Sequence, residues 1–307
     1  MGRYVIRRLL QMVPVFIGTT LLIFVMVYAL GDPVAAMFGD RAPDPATAAQ
    51  IRHQLYRDHS LPAQYIHYMG QIFQGKFGKS ADGRQVTEIM GTAFPVTIRL
   101  TLVAFAIEAV VGVGLGLLAG LRRGRLADSS VLAFTLIVVA VPTFVTGYVL
   151  QYFVGVKWGI AHPAVAEGAP FKDLVMPGVV LAGVSLAYVA RLTRTSVAEN
   201  SRSDYVRTAV AKGLPRRRVV TVHLLRNSLI PVVTFLGTDI GGLMAGAIVT
   251  ERIFNVQGVG YQLYQGIVRN NPQTVVGFVT ILVLIFLAAN LLVDLLYAVL
   301  DPRIRYV

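Results

Sequence analysis

The sequence predicts an all-α polytopic membrane protein with six transmembrane helices, and three observations carry that expectation. First, only 14% of the 307 residues are charged and 55% are hydrophobic, whereas soluble domains carry about 25% charged residues. Second, apolar stretches lie at about 9–30, 97–121, 129–155, 174–190, 232–250 and 274–300, each near the length a helix needs to cross a hydrocarbon core. Third, the segments between them differ in charge. With the N-terminus placed in the cytoplasm, segments 1–8, 122–128, 191–231 and 301–307 fall inside and hold 17 Lys/Arg against four acids. The outer segments 31–96, 156–173 and 251–273 hold 10 against nine. Basic residues collect in cytoplasmic loops, so both termini are expected inside. The net charge of +12 then reads as an orientation signal, and no nucleic-acid partner is expected.

The elements follow in order. The start, MGRYVIRRLL, has the basic character of a signal peptide. The apolar run that follows, Leu9 to Leu30, exceeds a signal core of about 7–15 residues, so it is expected to stay as the first helix. Pro14 is tolerable in a span. Segment 31–96 carries Pro33, Pro43, Pro45 and Pro62, which argue against one continuous helix. Asp44-Pro45 is a plausible helix start with Pro at the first helical position. Ile51, Leu55 and Tyr65 could supply a small apolar face, giving an extracytoplasmic loop region between helices 1 and 2 rather than an independent domain. Its length exceeds an ordinary connection, which favours a functional role. One transmembrane domain is expected over 1–307. In the second span, Gly112, Gly116 and Gly120 lie four apart; in the fifth, Gly237, Gly241 and Ala245 do the same, with Gly242 and Gly246 beside them. Such spacing lets helices approach closely, here expected inside the chain, with a subunit interface as the alternative.

Several chemistries are excluded or weak. The chain has no cysteine, so disulfide and thiolate chemistry is absent. GQIFQGKF (70–77) nearly matches a phosphate loop, but Phe77 stands where Ser or Thr should hold magnesium. GKS at 78–80 has the right ending, yet Phe73 replaces the leading Gly. Ser185 could be an intramembrane nucleophile, but no His lies within a span to serve as its base. Charged groups within spans are costly and point to function; Glu108, Asp239 and Asp294 are such groups. Asn290 and Asp294 are one helical turn apart and share a face. They read best as helix ties, whereas Glu108 and Asp239 read equally as pathway lining. Carboxyls of this kind keep a proton-coupled secondary transporter as the rival class.

The stretch RTAVAKGLPRRRVV (207–220) is different. From Thr193 to Asn227 no run is apolar enough to span, and the residues predict helices at about 197–212 and 216–227. Gly213 can end the first in a left-handed conformation, and Pro215 suits the first turn of the second. Val206, Ala209 and Val210 give the first helix an apolar face, while Ala209 and Gly213 are small enough for a partner to approach. A helix–turn–helix elbow of this design suits docking into a groove on a cytoplasmic protein. Contact with anionic lipid explains the arginines but not the punctuation.

YVRTAVAKGLPRRRVVTVHLLRNSLIPVVT (205–234) resembles the cytoplasmic coupling segment of binding-protein-dependent ABC importer permeases. That family's motif is Glu-Ala-Ala, three residues, then Gly; here Arg207, Thr208 and Ala209 stand in the first places and Gly213 in the last. The replacement of Glu by Arg, and a downstream proline displaced to Pro231, are similar to the dipeptide/oligopeptide/nickel branch. YVIRRLLQMVPVFIG (4–18), GKFGKS before Pro95 and Thr97, GAIVTERIFNVQGVG (246–260) and NLLVDLLYAVLDPRIRY (290–306) resemble the same branch. The resemblance implies a multi-pass permease subunit of a bacterial-type inner membrane, in contact with membrane lipid. It would pair with a similar, non-identical permease. Two cytoplasmic ATPase subunits would bind ATP and Mg, and an extracytoplasmic solute-binding protein would deliver cargo to 31–96 and 251–273. Within 191–231, Tyr205, Arg207, Thr208, Ala209, Lys212, Gly213, Pro215 and Arg216 would meet an ATPase. The pathway would run between the fifth span and its counterpart in the paired permease, with Met244 and Asp239 as lining candidates. This chain would hold no cofactor, no metal and no catalytic residue. Peptides are the expected cargo, with nickel complexes or haem as alternatives.

Overall fold

The computed structural model describes residues 2–30, 44–54, 56–80 and 82–300, and the side chains of 2–5, 29–30, 54 and 292–300 lie outside that description. Pro33, Pro43, Leu55, the side chain of Asp294 and the C-terminal end of the 290–306 match therefore fall beyond it. The described residues are helical and joined by turns. In chain order the helices are α1 (Gly2–Leu30), α2 (Pro45–Gln54), α3 (Leu61–Phe73), α4 (Val86–Ile107), α5 (Val113–Leu121), α6 (Leu126–Ala140), α7 (Thr143–Leu150), α8 (Phe171–Asn200), α9 (Asp204–Ala211), α10 (Arg216–Arg218), α11 (Leu225–Ser228), α12 (Ile230–Ile253), α13 (Val259–Val268) and α14 (Pro272–Leu300). Wider π-helical turns link α4 to α5 (Glu108–Gly112), extend α7 (Gln151–Lys157) and link α10 to α11 (Val219–Leu224).

Among the described residues, five helical runs are long and apolar enough to cross a membrane: Ile6–Tyr28, Val86–Leu121, Phe171–Asn200, Ile230–Ile253 and Pro272–Leu291. The third apolar stretch differs from a single straight span. It is broken into Leu126–Ala140 and Thr143–Lys157, bent by 101°. The cause is local: Val141 precedes Pro142 and takes an extended conformation (φ −89°, ψ 124°), as the residue before a proline must to avoid its ring. The fourth and fifth spans run longer than their most apolar cores suggested. At 1.5 Å per residue, α8 is about 45 Å long, longer than the roughly 30 Å hydrocarbon layer, so it projects beyond it.

The described residues form two compact units, 1–97 with 257–307, and 98–256. In the first unit, α1 packs along α14 and α3 packs on α1. Phe24, fully buried, stacks on Tyr28 and meets the rings of Tyr65 and Tyr68. Thr20 Oγ1 and the Tyr65 hydroxyl are 2.9 Å apart. Arg57 lies over the Tyr28 ring and donates to the Tyr28 carbonyl and to Gln64 Oε1, both at 3.2 Å. The 44–80 segment is thus tied to the first span by aromatic packing. Asp44 starts α2 as its sequence suggests, accepting the Thr47 backbone N–H at 3.1 Å. The phosphate-loop near matches fall at the end of α3 and in the turns after it.

In the second unit, α8 is the central element, packed by α5, α6, α7 and α12. The glycine stripe of α5 and the preceding π turn faces α8. A Cβ added at Gly112 would lie 2.9 Å from Val189 Cγ1, and one at Gly120 would lie 2.8 Å from Val197 Cβ. One at Gly116 would strike the Ala190 carbonyl and sit 2.5 Å from Thr193 Cβ. The stripe is a seam within the chain.

Candidate functional site

The elbow is built in three steps. The first helix does not run over 197–212 as its sequence suggested: α8 continues to Asn200, and α9 begins only at Asp204. Between them Ser203 is extended (φ −71°, ψ 152°) and donates its hydroxyl to the Asn200 carbonyl. Short polar side chains compete in this way with helical hydrogen bonds, so a turn forms without glycine or proline. The Tyr205 hydroxyl donates to Asn200 Oδ1 at 2.9 Å, and Thr208 Oγ1 donates to the Asp204 carbonyl at 2.8 Å.

At the far end Gly213 has φ +73°, the left-handed stop its position suggested; a Cβ there would meet nothing within 4 Å. It is the backbone angle that calls for glycine. Pro215 sits one place earlier than expected, as the residue before α10 (φ −62°, ψ 142°).

The elbow is seated on the spans by its own apolar face. Val206, Ala209, Val219 and Leu224 are buried together with Val197 of α8. Leu117, Leu121, Leu214 and Val220 close around them. This corrects one expectation. Ala209 is 4% exposed, so its small size serves close packing of α9 on its own chain rather than approach by a partner. The outward face instead presents Tyr205, Arg207, Thr208, Val210 and Lys212, with Arg216 exposed beyond the turn. Val210, at 60% exposure, is the apolar centre of that face; as one member of the predicted apolar face it did not stand out in the sequence. Arg207 and Asp204 form an exposed pair at 3.7 Å, a contact of small energetic weight.

A second polar device lies beside the elbow. Arg194 of α8 donates through Nε and Nη2 to the two carboxylate oxygens of Asp128, the second at 2.8 Å. Asp128 is buried and also accepts the Gly124 backbone N–H at 2.9 Å. This two-pronged pair fixes the 122–125 turn against α8.

The intramembrane groups separate into two sets. Glu108 is fully buried in the first π turn, where neither carboxyl oxygen meets a donor at hydrogen-bond distance among the described residues. The ionisable group acting on it is Asp239 of α12. The fold therefore brings together two acids far apart in sequence. Asp239 is half-buried, with Oδ2 unpartnered among the described residues. Met244 follows five residues later on another face of α12 and is buried within the unit. Asn290 belongs to the other unit, half-buried on α14; Asp294 follows it one turn later on the same helix.

The fold and its elements have known counterparts. Residues 112–306 match the family described as "Binding-protein-dependent transport system inner membrane component", and residues 1–101 match its N-terminal companion. The chain is 36% identical to the "Dipeptide transport system permease protein DppB" of Escherichia coli (strain K12), over all of this chain and 99% of that protein. It is 32% identical to the "Oligopeptide transport system permease protein OppB" of Salmonella typhimurium, over the whole of both. A solved chain described as "Crystal structure of an amino acid ABC transporter with histidines" superposes with a TM-score of 0.54 at 18% identity, covering 68% of this chain and 93% of that one; that likeness concerns the fold alone. From the residue stretches, the helical spans and the full-length matches together, this chain belongs to the family of binding-protein-dependent transport system inner membrane components.

Proposed function

We propose that this chain is the permease subunit of an ATP-driven importer of dipeptides or oligopeptides, and that it receives mechanical force at the elbow. The observation that carries the reading is the full-length identity of 36% to a dipeptide permease. Nickel complexes or haem, handled by related permeases, are the alternative cargo. The chain lies in the bacterial inner membrane with both termini cytoplasmic, a reading that the charge asymmetry of its segments supports. Residues 1–307 act as one transmembrane domain paired with a similar, non-identical permease. Two cytoplasmic ATPase subunits bind ATP and Mg, and a solute-binding protein docks on the outer segments.

The elbow divides the work. Its buried residues hold α9 to the ends of α5 and α8, so displacement of the elbow moves those spans as a rigid body. Its outward residues, Tyr205, Arg207, Thr208, Val210 and Lys212, insert into a cleft on an ATPase. Gly213 and Pro215 fix the angle at which Arg216 follows. In the pathway, the half-buried Asp239 supplies polar lining, the buried Glu108 and Met244 pack behind that face within the unit, and Asn290 and Asp294 tie helices together. The permease supplies geometry and breaks no bond.

The test is uptake of a labelled dipeptide into proteoliposomes holding the complete assembly and its binding protein. Uptake is expected to require ATP and to be lost in Val210→Asp while the purified chain stays folded. Uptake that survives ATP depletion and collapses with the proton gradient would instead identify a secondary transporter. Unchanged ATP-driven uptake in Val210→Asp would remove the elbow assignment alone.

A further inference from the structure

Beside the elbow lies a concave cavity of ≈ 670 Å³, walled by the ends of α5 and α8, the 122–125 turn and the start of α10. Five arginines line it: Arg122, Arg123, Arg125, Arg202 and Arg216. No carboxylate is among the lining residues. The acid beside them, Asp128, is already held by Arg194 and the Gly124 N–H. None of the five guanidiniums forms an ion pair among the described residues. Guanidiniums crowded around one hollow repel each other unless an anion lies between them, and their planar forks match a phosphate in two-pronged fashion. The hollow is also held in shape: the turn carrying Arg122, Arg123 and Arg125 is fixed by Gly124 (φ +77°) and its bond to Asp128.

The surroundings identify the source of the phosphate. The cavity opens at the end of a helix that crosses the membrane, and Leu118 and Leu121 form part of its wall. Leu126, next to Arg125, is 86% exposed. Two leucines in the wall and a third projecting nearby are of no use to a free ion, but they suit an acyl chain whose headgroup would sit among the arginines. Basic pockets at the cytoplasmic ends of membrane helices suit such headgroups. We propose that this cavity is a binding site for the phosphodiester headgroup of one anionic phospholipid. Because Arg216 opens α10 three residues after Gly213 in the elbow, the bound lipid braces the elbow against α5 and α8. The inference depends on the membrane setting and not on the cargo.

The test uses the complete assembly in detergent, titrated with dioleoylphosphatidylglycerol, dioleoylphosphatidylcholine or inorganic phosphate. Retained lipid is read by native mass spectrometry and thermal stability by unfolding. One phosphatidylglycerol per chain is expected to be retained and to raise the unfolding temperature, with phosphatidylcholine and phosphate at least tenfold weaker. Replacement of three lining residues together, Arg122→Gln, Arg125→Gln and Arg202→Gln, should weaken retention at least tenfold. Arg217→Gln, Arg218→Gln and Arg226→Gln remove equal charge outside the cavity and should leave retention unchanged. Should the lining variant fail to fold, Leu118→Asp, which keeps every arginine but repels the acyl chain, is expected to weaken retention likewise. The proposal is overturned if phosphate protects as well as phosphatidylglycerol, or if both charge variants lose lipid equally. It is also overturned if the lining variant keeps its lipid but loses the ATPase subunit, which would make the cavity a protein contact. None of these readouts depends on transport.

Discussion

Two stripes of small residues run through the second unit at the same four-residue spacing, and they do opposite things. In the first, Gly112, Gly116 and Gly120 lie against α8 so closely that no Cβ fits. In the second, on α12, Gly241 is buried but Gly242, Ala245 and Gly246 face outward. A Cβ at Gly246 would make only an ordinary contact, 3.6 Å from Leu181. Spacing alone gives a helix the capacity for close approach; the rest of the chain decides whether that capacity is used internally. The covered stripe carries the fold. The open one is left uncovered by the described residues of this chain, and in the proposed importer the paired permease is expected to cover it.

The comparison can be broken most forcefully at Gly116. Gly116→Leu drives a side chain into the α8 backbone, and overpacking of this kind is expected to cost about 3 kcal/mol or more. Little folded protein should be recovered, and its unfolding temperature in detergent should fall sharply. Wild-type stability in that variant would mean the seam is not closed. Next comes Asp128→Asn, which leaves Arg194 without its charged partner beside the same seam. A loss of about 2 kcal/mol is expected, read by the same unfolding assay; a neutral result would show that the seam holds without the clamp. Ala245→Leu sharpens the contrast from the other side. Stability of the isolated chain should change by less than about 0.5 kcal/mol, while association with the paired permease, measured by co-purification, should weaken about tenfold. If Ala245→Leu unfolds the chain instead, the two stripes are alike after all.

Asp82→Asn, far from both stripes in the sequence, is expected to have the smallest effect. Its hydrogen bond with Arg84 holds the Asp82 carboxyl below the usual carboxylate range, and the pair is exposed at 2.7 Å. Such a pair contributes about 0.5 kcal/mol or less. Because the folded-state value is depressed, the contribution is present at neutral pH and fades as acid protonates the carboxyl. Wild type and Asp82→Asn should therefore converge in stability on acidification.

Much of this was legible in the sequence because membrane spans announce themselves through composition. All six apolar stretches correspond to helical runs, and Gly213 declared its left-handed turn through its proline neighbour at 215. The bend at Val141-Pro142 was hidden because apolarity continues unbroken through it, and hydropathy does not register direction. The break at 201–203 was hidden for another reason: it is made by Asn200 and Ser203 side chains bonding locally, with neither glycine nor proline to mark it. Ala209 was placed on the wrong side of α9 because an apolar face in sequence does not say whether partner or self will cover it. The arginine cavity was unreadable as a site. Arg122–Arg125, Arg202 and Arg216 are far apart along the chain, and their charge registered only as orientation. Likewise Glu108 and Asp239 were separate candidates until folding brought them together.

The central claim, that an ATP-consuming partner drives this chain through the outward face of α9, has a direct measurement. The natural chain has no cysteine, so Val210→Cys offers a single thiol. A short reagent joining thiols to lysines, applied to the working assembly in membranes, should link position 210 to the ATPase subunit. The yield should change when ATP is added. If the thiol is instead labelled freely by a water-soluble maleimide, with no link to the ATPase while uptake continues, the elbow does not transmit the force.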